Sequence, residues 1–133
     1  MPLFSFSGTR PTNLGVKDGK FAPCPSTPNC VCSQDPDEAH QIAPLTYSGK
    51  PEAAIAKLKD IIQSLERAQI ITETNDYLYA EFTSRLMGFV DDVEFYVDSA
   101  AQVIHVRAAA RLGQSDLGVN RKRLETIRAQ LNQ

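Results

Sequence analysis

Six residues in three alternating segments are of types that do chemistry together. Glu81, Asp92, Glu94, His105, Arg107 and Arg111 all fall on the polar phase of stretches in which apolar residues take every second place. Carboxylates beside histidine and arginine in one cleft are the material of acid–base catalysis and of ligand binding. The stretch Asp98-Ser99-Ala100-Ala101 predicts a tight hairpin that sets Glu94 against His105 and Asp92 against Arg107. Opposite charges across such a pair stabilise a sheet by roughly 0.2–1 kcal/mol. The same residues therefore also read as a polar face laced with ion pairs. No nucleophile elbow, phosphate-cradling glycine loop or HExxH motif accompanies them.

Three further features stand out. The loop from Thr83 to Asp91 joins two strands yet holds Leu86, Met87, Phe89 and Val90 next to Arg85. A hairpin turn is normally polar, so this loop either folds back over the core or presents an apolar tip to a partner, a lipid or the chain's own arm. Charge is also segregated. Residues 51–106 carry four basic and ten acidic side chains, whereas residues 107–133 carry six and two. The last helix begins Asn120-Arg121-Lys122-Arg123, and cations in a first turn oppose the helix dipole. Three arrangements would offset Arg121 and Arg123: an earlier start at Ser115-Asp116, pairing with carboxylates such as Asp91 and Asp92, or a bound anion. Finally, Cys24, Cys30 and Cys32 share one proline-bent loop, with His40 eight residues on. The spacing C-x5-C-x-C is not a usual zinc pattern, and an odd count argues against a complete disulfide framework. A Cys24–Cys30 bridge is geometrically possible, but a reducing cytoplasm opposes it, and reduced, buried thiols are the expectation.

The elements that must carry these residues follow from periodicity. Six of the eight prolines and three of the seven glycines lie before residue 37. Residues 1–38 accordingly read as an extended arm laid over a single domain, 39–133. His40 to Tyr47 predicts a strand. Pro51 opens a helix with Ile55, Leu58, Ile62 and Leu65 on one face, ending near Arg67 or Ala68. Gln69–Thr74 predicts a strand, and three alternating strands follow. In these, Leu78, Ala80, Phe82, Val93, Phe95, Val97, Ile104, Val106 and Ala108 point one way. Asn120 to Leu131 is a helix with Leu124, Ile127 and Leu131 on its stripe. The fold class is α+β: a mostly antiparallel sheet of about five strands in the order β-α-β-β-β-β-α, with both helices on one face.

The chain has 133 residues, a net charge of −2 and 42% hydrophobic residues. These values suit one globular domain and exclude disorder, fibres and a strongly basic binder. No apolar run approaches the roughly 20 residues of a membrane span. No secretory signal is visible at the N-terminus, which makes a cytoplasmic location the expectation. Three stretches carry a resemblance: Cys24-Pro25-Ser26-Thr27-Pro28-Asn29-Cys30-Val31, the run Glu81 to Glu94 containing Thr83-Ser84-Arg85-Leu86-Met87-Gly88-Phe89-Val90-Asp91-Asp92, and Ser115-Asp116-Leu117-Gly118-Val119-Asn120-Arg121-Lys122-Arg123. Together they resemble domain-of-unknown-function family 1499. That family's usual loop is similar to C-P-x-x-P-N-C-V-S-S, in which Cys32 takes the place of a serine. The resemblance implies no activity. The residues lead to an expected non-catalytic module that binds a small anionic or amphipathic ligand, or a partner protein, through the polar face and the Arg85–Val90 loop. No cofactor, metal, nucleic acid or membrane span is expected. The competing class is a hydrolase-like enzyme using carboxylates with His105.

Overall fold

The computed structural model describes residues 7–85, 87–113 and 116–133. Leu86 of the apolar loop, Ser115 of the alternative helix start and the beginning of the arm lie outside them. The elements run β1 (Cys30–Cys32), β2 (Leu45–Thr46), α1 (Pro51–Ser64), β3 (Ala68–Glu73), β4 (Tyr77–Thr83), β5 (Val90–Asp98), β6 (Val103–Ala110) and α2 (Val119–Leu131). They form an antiparallel sheet of six strands in the order β1-β6-β5-β4-β3, and β2 shares the outer edge of β6 with β1. The expected order holds. The sixth strand, β1, lies inside the segment read as an arm, and the strand expected over residues 40–47 is confined to Leu45–Thr46.

The apolar phase of the strands builds the core. Leu78 faces Phe95, Ala80 faces Val93, and Phe95 faces Val106 across the ladders. Ile55, Leu58, Ile61 and Ile62 of α1 and Leu124, Ile127 and Leu131 of α2 close over that same face. Pro51 sits in the first turn of α1, where its missing N–H costs nothing, beside the acidic Glu52. The helix ends at Ser64, earlier than the periodicity predicts, because Arg67 adopts φ 58° to turn the chain into β3.

The β5–β6 hairpin corrects the expected register. Asp98 pairs with Val103, so Glu94 lies opposite Arg107, Tyr96 opposite His105 and Asp92 opposite Ala109. A two-residue turn needs positive φ at its centre, which Ser99-Ala100 resists. The chain instead uses a four-residue connection, with Gln102 at φ 57° and the Ala101 N–H on the Asp98 carboxylate at 3.2 Å.

Candidate functional site

The ten candidate residues divide between two faces of the sheet and one end of it. On the polar face, register sets Glu81 opposite Asp92 and Tyr79 opposite Glu94. Two carboxylates directly opposed repel, so the face needs cations. Arg111, just past the end of β6, supplies one. Small Ala109 opposite Asp92 leaves space for it. Its Nε and Nη2 grip both Asp92 oxygens, at 3.1 and 2.6 Å, and Nη2 also reaches Glu81 at 2.8 Å. The Tyr79 hydroxyl donates to Asp92 and lies 2.9 Å from Glu81. Burial and the adjacent Asp92 carboxylate hold the Tyr79 phenol well above its ordinary pKa, so it stays a proton donor. Burial would raise the Glu81 carboxyl, but hydrogen bonds from Arg10, Arg111 and Tyr79 outweigh it and hold the group down to about 2.

Glu94 sits beside this group, 1% exposed. Its Oε2 accepts the Tyr77 hydroxyl at 2.6 Å and the Gly15 N–H at 2.7 Å. Burial still pushes its carboxyl above the ordinary range. Gly15 has φ 104°, a conformation open to glycine, and this turn of the arm is what aims its N–H into the sheet. Arg107 is only loosely paired: Nη1 stands 3.7 Å from Glu94, Nη2 donates to the Pro23 carbonyl at 3.3 Å, and the buried Nε has no hydrogen-bond partner among the described residues. The expected cleft is therefore filled. The arm lies on the polar face, with Arg10 on Glu81 at 2.7 Å and Gly15 on Glu94.

His105 stands apart from these carboxylates. Its Nδ1 lies 3.1 Å from the Ser33 hydroxyl and its Nε2 4.0 Å from Asp98. The row Ser33–His105–Asp98 has the composition of a hydrolytic triad but not its geometry. Ser33 Oγ accepts the Val106 N–H at 2.9 Å and so continues the β1–β6 pairing, and the carboxylate is beyond hydrogen-bond reach.

The apolar face takes Asp91, the one acid in phase with Val93 and Phe95. Arg123 of α2 pairs with it at 2.8 Å while stacking 4.6 Å from the centre of the Phe82 ring. Desolvation nevertheless raises the Asp91 carboxyl. Arg121 points elsewhere, donating to the backbone carbonyls of Gln41 at 2.8 Å and Ala39 at 3.4 Å. Of the three arrangements that would offset the cations of α2, pairing with a carboxylate describes Arg123. In addition, Asp116 lies just before the helix and accepts the N–H groups of Gly118 and Asn120 at 2.9 and 3.2 Å, which complements the dipole.

The cysteines also correct the expectation. Cys24 and Cys30 form a disulfide, with their Cα atoms 5.6 Å apart, and only Cys32 is a free thiol, buried beside Arg107. The Pro25–Asn29 loop brings the two ends together, which spacing alone does not reveal. His40 is buried and its Nδ1 lies 2.9 Å from the Cys30 carbonyl, so it pins β1. Among the described residues no cluster of three His, Cys, Asp or Glu side chains suits a metal ion.

The remaining candidate, Arg85, lies at the end of the sheet. It is exposed and makes no ion pair among the described residues. With Phe82, Ser84, Val119 and Arg123 it lines a hollow of about 450 Å³. Ser84 and Val119 also border a second cavity, of about 260 Å³, lined by Phe89, Leu112, Gly113 and Leu117, and by Asp91 and Asp116, which are engaged by Arg123 and by backbone N–H groups. Phe89, Leu112, Leu117 and Val119 are the large hydrophobic side chains left exposed among the described residues, at 41, 42, 93 and 46%. All four surround this one cavity. The sequence marks Phe89 but gives no reason to join it to Leu112 and Leu117, because chain pattern does not show that the β4–β5 and β6–α2 loops meet. Tyr77, Tyr79, Arg10 and Gly15 were likewise not legible as site residues.

No curated protein matches the chain. A family model described as Protein of unknown function (DUF1499) matches residues 20–131, and the chain belongs to that family.

Proposed function

We propose that this member of the DUF1499 family is a non-catalytic binding module that takes an amphipathic anion at the apolar end of its sheet. The observation that carries this reading is the convergence of Phe89, Leu112, Leu117 and Val119 on one cavity of about 260 Å³. Exposed large hydrophobics are normal when scattered, and mark contact surfaces when gathered. The size suits a single short acyl chain, near the lower limit of ligand pockets at roughly 300 Å³. The exposed Arg85, which lines the adjoining hollow, carries no ion pair among the described residues and suits an acidic head group. The polar face does not suit an anion, since Glu81, Asp92 and Glu94 crowd it with negative charge. Nucleic acid stays outside it, because Arg121 and Arg123 are engaged within the fold. No helix among the described residues is long and apolar enough to cross a membrane. The Cys24–Cys30 disulfide favours an oxidising compartment over the cytoplasm that the sequence suggests.

The test is a thermal-shift titration of the full chain with decanoate, alongside an uncharged decyl glycoside. Decanoate should raise the wild-type midpoint more than the glycoside does. Leu117→Ser should remove the gain while leaving the ligand-free midpoint close to wild type, since Leu117 is 93% exposed. Equal gains in wild type and variant would reject the site.

A further inference from the structure

The polar sheet face holds a cation that comes from outside the residues matched by the family model. At the centre of that face three carboxylates, Glu81, Asp92 and Glu94, stand against two guanidinium groups within residues 20–131, Arg107 and Arg111, with Asp98 further along at the exposed end of β5. One negative charge is left over in a largely desolvated setting, where an uncompensated ion is costly. Arg10, from the arm that precedes the family match, supplies the missing charge. Its Nε donates to Glu81 at 2.7 Å, and its guanidinium carbon lies 5.9 Å from the centre of the Tyr79 ring. Carboxylate and aromatic ring together are the recognition elements for a planar cation. The socket is preformed, because Arg111 and the Tyr79 hydroxyl hold Glu81 in place without Arg10.

We propose that this face is a binding site for an arginine-bearing peptide segment, occupied in the present structure by the chain's own Arg10 and opened when the arm lifts. The arm's hold is slight. The Arg10 side chain is 52% exposed, against 8% for Arg111, and its short hydrogen bond among the described residues is to Glu81. Its neighbour along the arm is the Gly15 N–H on Glu94. The same face holds a second polar group whose bonding is incomplete. Arg107 Nε lies buried on the same face with no hydrogen-bond partner among the described residues, and a buried donor left unpaired carries a desolvation cost. The site differs in place and in ligand charge from the apolar cavity, so either reading stands or falls without the other.

The experiment uses the full chain and N-acetyl-arginine amide as probe, with N-acetyl-glutamine amide as the uncharged control. In Arg10→Ala the socket is vacant, and the probe at about 10 mM should raise the melting midpoint by about 3 °C while the control does nothing. Wild type, whose own Arg10 competes, should shift less. The double variant Arg10→Ala, Glu81→Gln should lose the response. A shift that is absent in Arg10→Ala, or that survives in the double variant, overturns the proposal. Hydrogen exchange of wild type provides a readout that needs no variant. The Gly15 amide should exchange faster with the probe present, as the arm is displaced, and an unchanged rate counts against the site.

Discussion

Removing Arg111 isolates what holds the polar face together. The substitution is Arg111→Met, which keeps the apolar stem and deletes the guanidinium. In the native fold that group is 8% exposed and contacts two carboxylates, Asp92 at 2% and Glu81 at 14% exposure. Deleting one partner of a buried pair typically costs about 3–5 kcal/mol, because the other charge is left desolvated. Glu81 keeps Arg10 and Asp92 keeps the Tyr79 hydroxyl, which places the expected loss at the lower end, about 3 kcal/mol. For a domain of this size that lowers the melting midpoint by about 10 °C. Urea unfolding at neutral pH reads it, with an unchanged slope showing that the unfolded state is not altered. Asp92→Asn should remove most of the interaction by itself. The double variant should then be less destabilised than the sum of the two, with a coupling above about 1 kcal/mol. A loss below about 1 kcal/mol for Arg111→Met, with additive single variants, would show that the network is a surface decoration and not the lock that closes the arm face.

Three other outcomes follow. Phe95→Ala, at 0% exposure in the centre of the apolar face, should cost about 3–5 kcal/mol in urea unfolding, and a loss under about 1 kcal/mol would misplace the core. Glu81 titrates near 2 when folded against an ordinary 4.5, so its stabilisation is present above the unfolded value and is lost as pH falls through the folded one. Glu81→Gln should therefore be less stable than wild type at neutral pH and converge with it toward pH 2, a difference measurement unaffected by Asp91 and Glu94, whose raised values act in the opposite direction. Cys24→Ser opens a small loop and should cost about 2 kcal/mol; alkylation of the unfolded, unreduced wild type should label Cys32 alone, whereas three labelled thiols would contradict the bridge.

Strand phase was legible because burial on one face imposes a period of two. Leu78, Phe82, Phe95 and Val106 follow it, and the polar phase from Glu81 to Arg107 follows as its complement. Register was not legible. It depends on the turn at Ser99–Gln102, and a shift of two residues along the hairpin preserves the faces while exchanging every cross-strand partner. That is why Glu94 meets Arg107 and not His105. Asp91 belongs to the apolar phase yet is charged, an exception whose reason, Arg123 over Phe82, lies on a helix about thirty residues away. The arm offered the weakest signal. Arg10 and Gly15 sit among prolines and glycines without periodicity, and their role arises from carboxylates some seventy residues further along the chain. The compartment read from the N-terminus opposes a disulfide, whereas loop closure by Pro25 and Pro28 is the nearer physical constraint.

In the proposed reading decanoate binds at the apolar end of the sheet and leaves the polar face untouched. Amide chemical-shift mapping of the full chain during a decanoate titration tests it directly. The account predicts saturable shifts at Ser84, Phe89, Leu112, Gly113 and Val119, with Tyr79, Asp92, Glu94 and Arg107 unmoved. Shifts centred on Tyr79, Asp92 and Arg107 would contradict it.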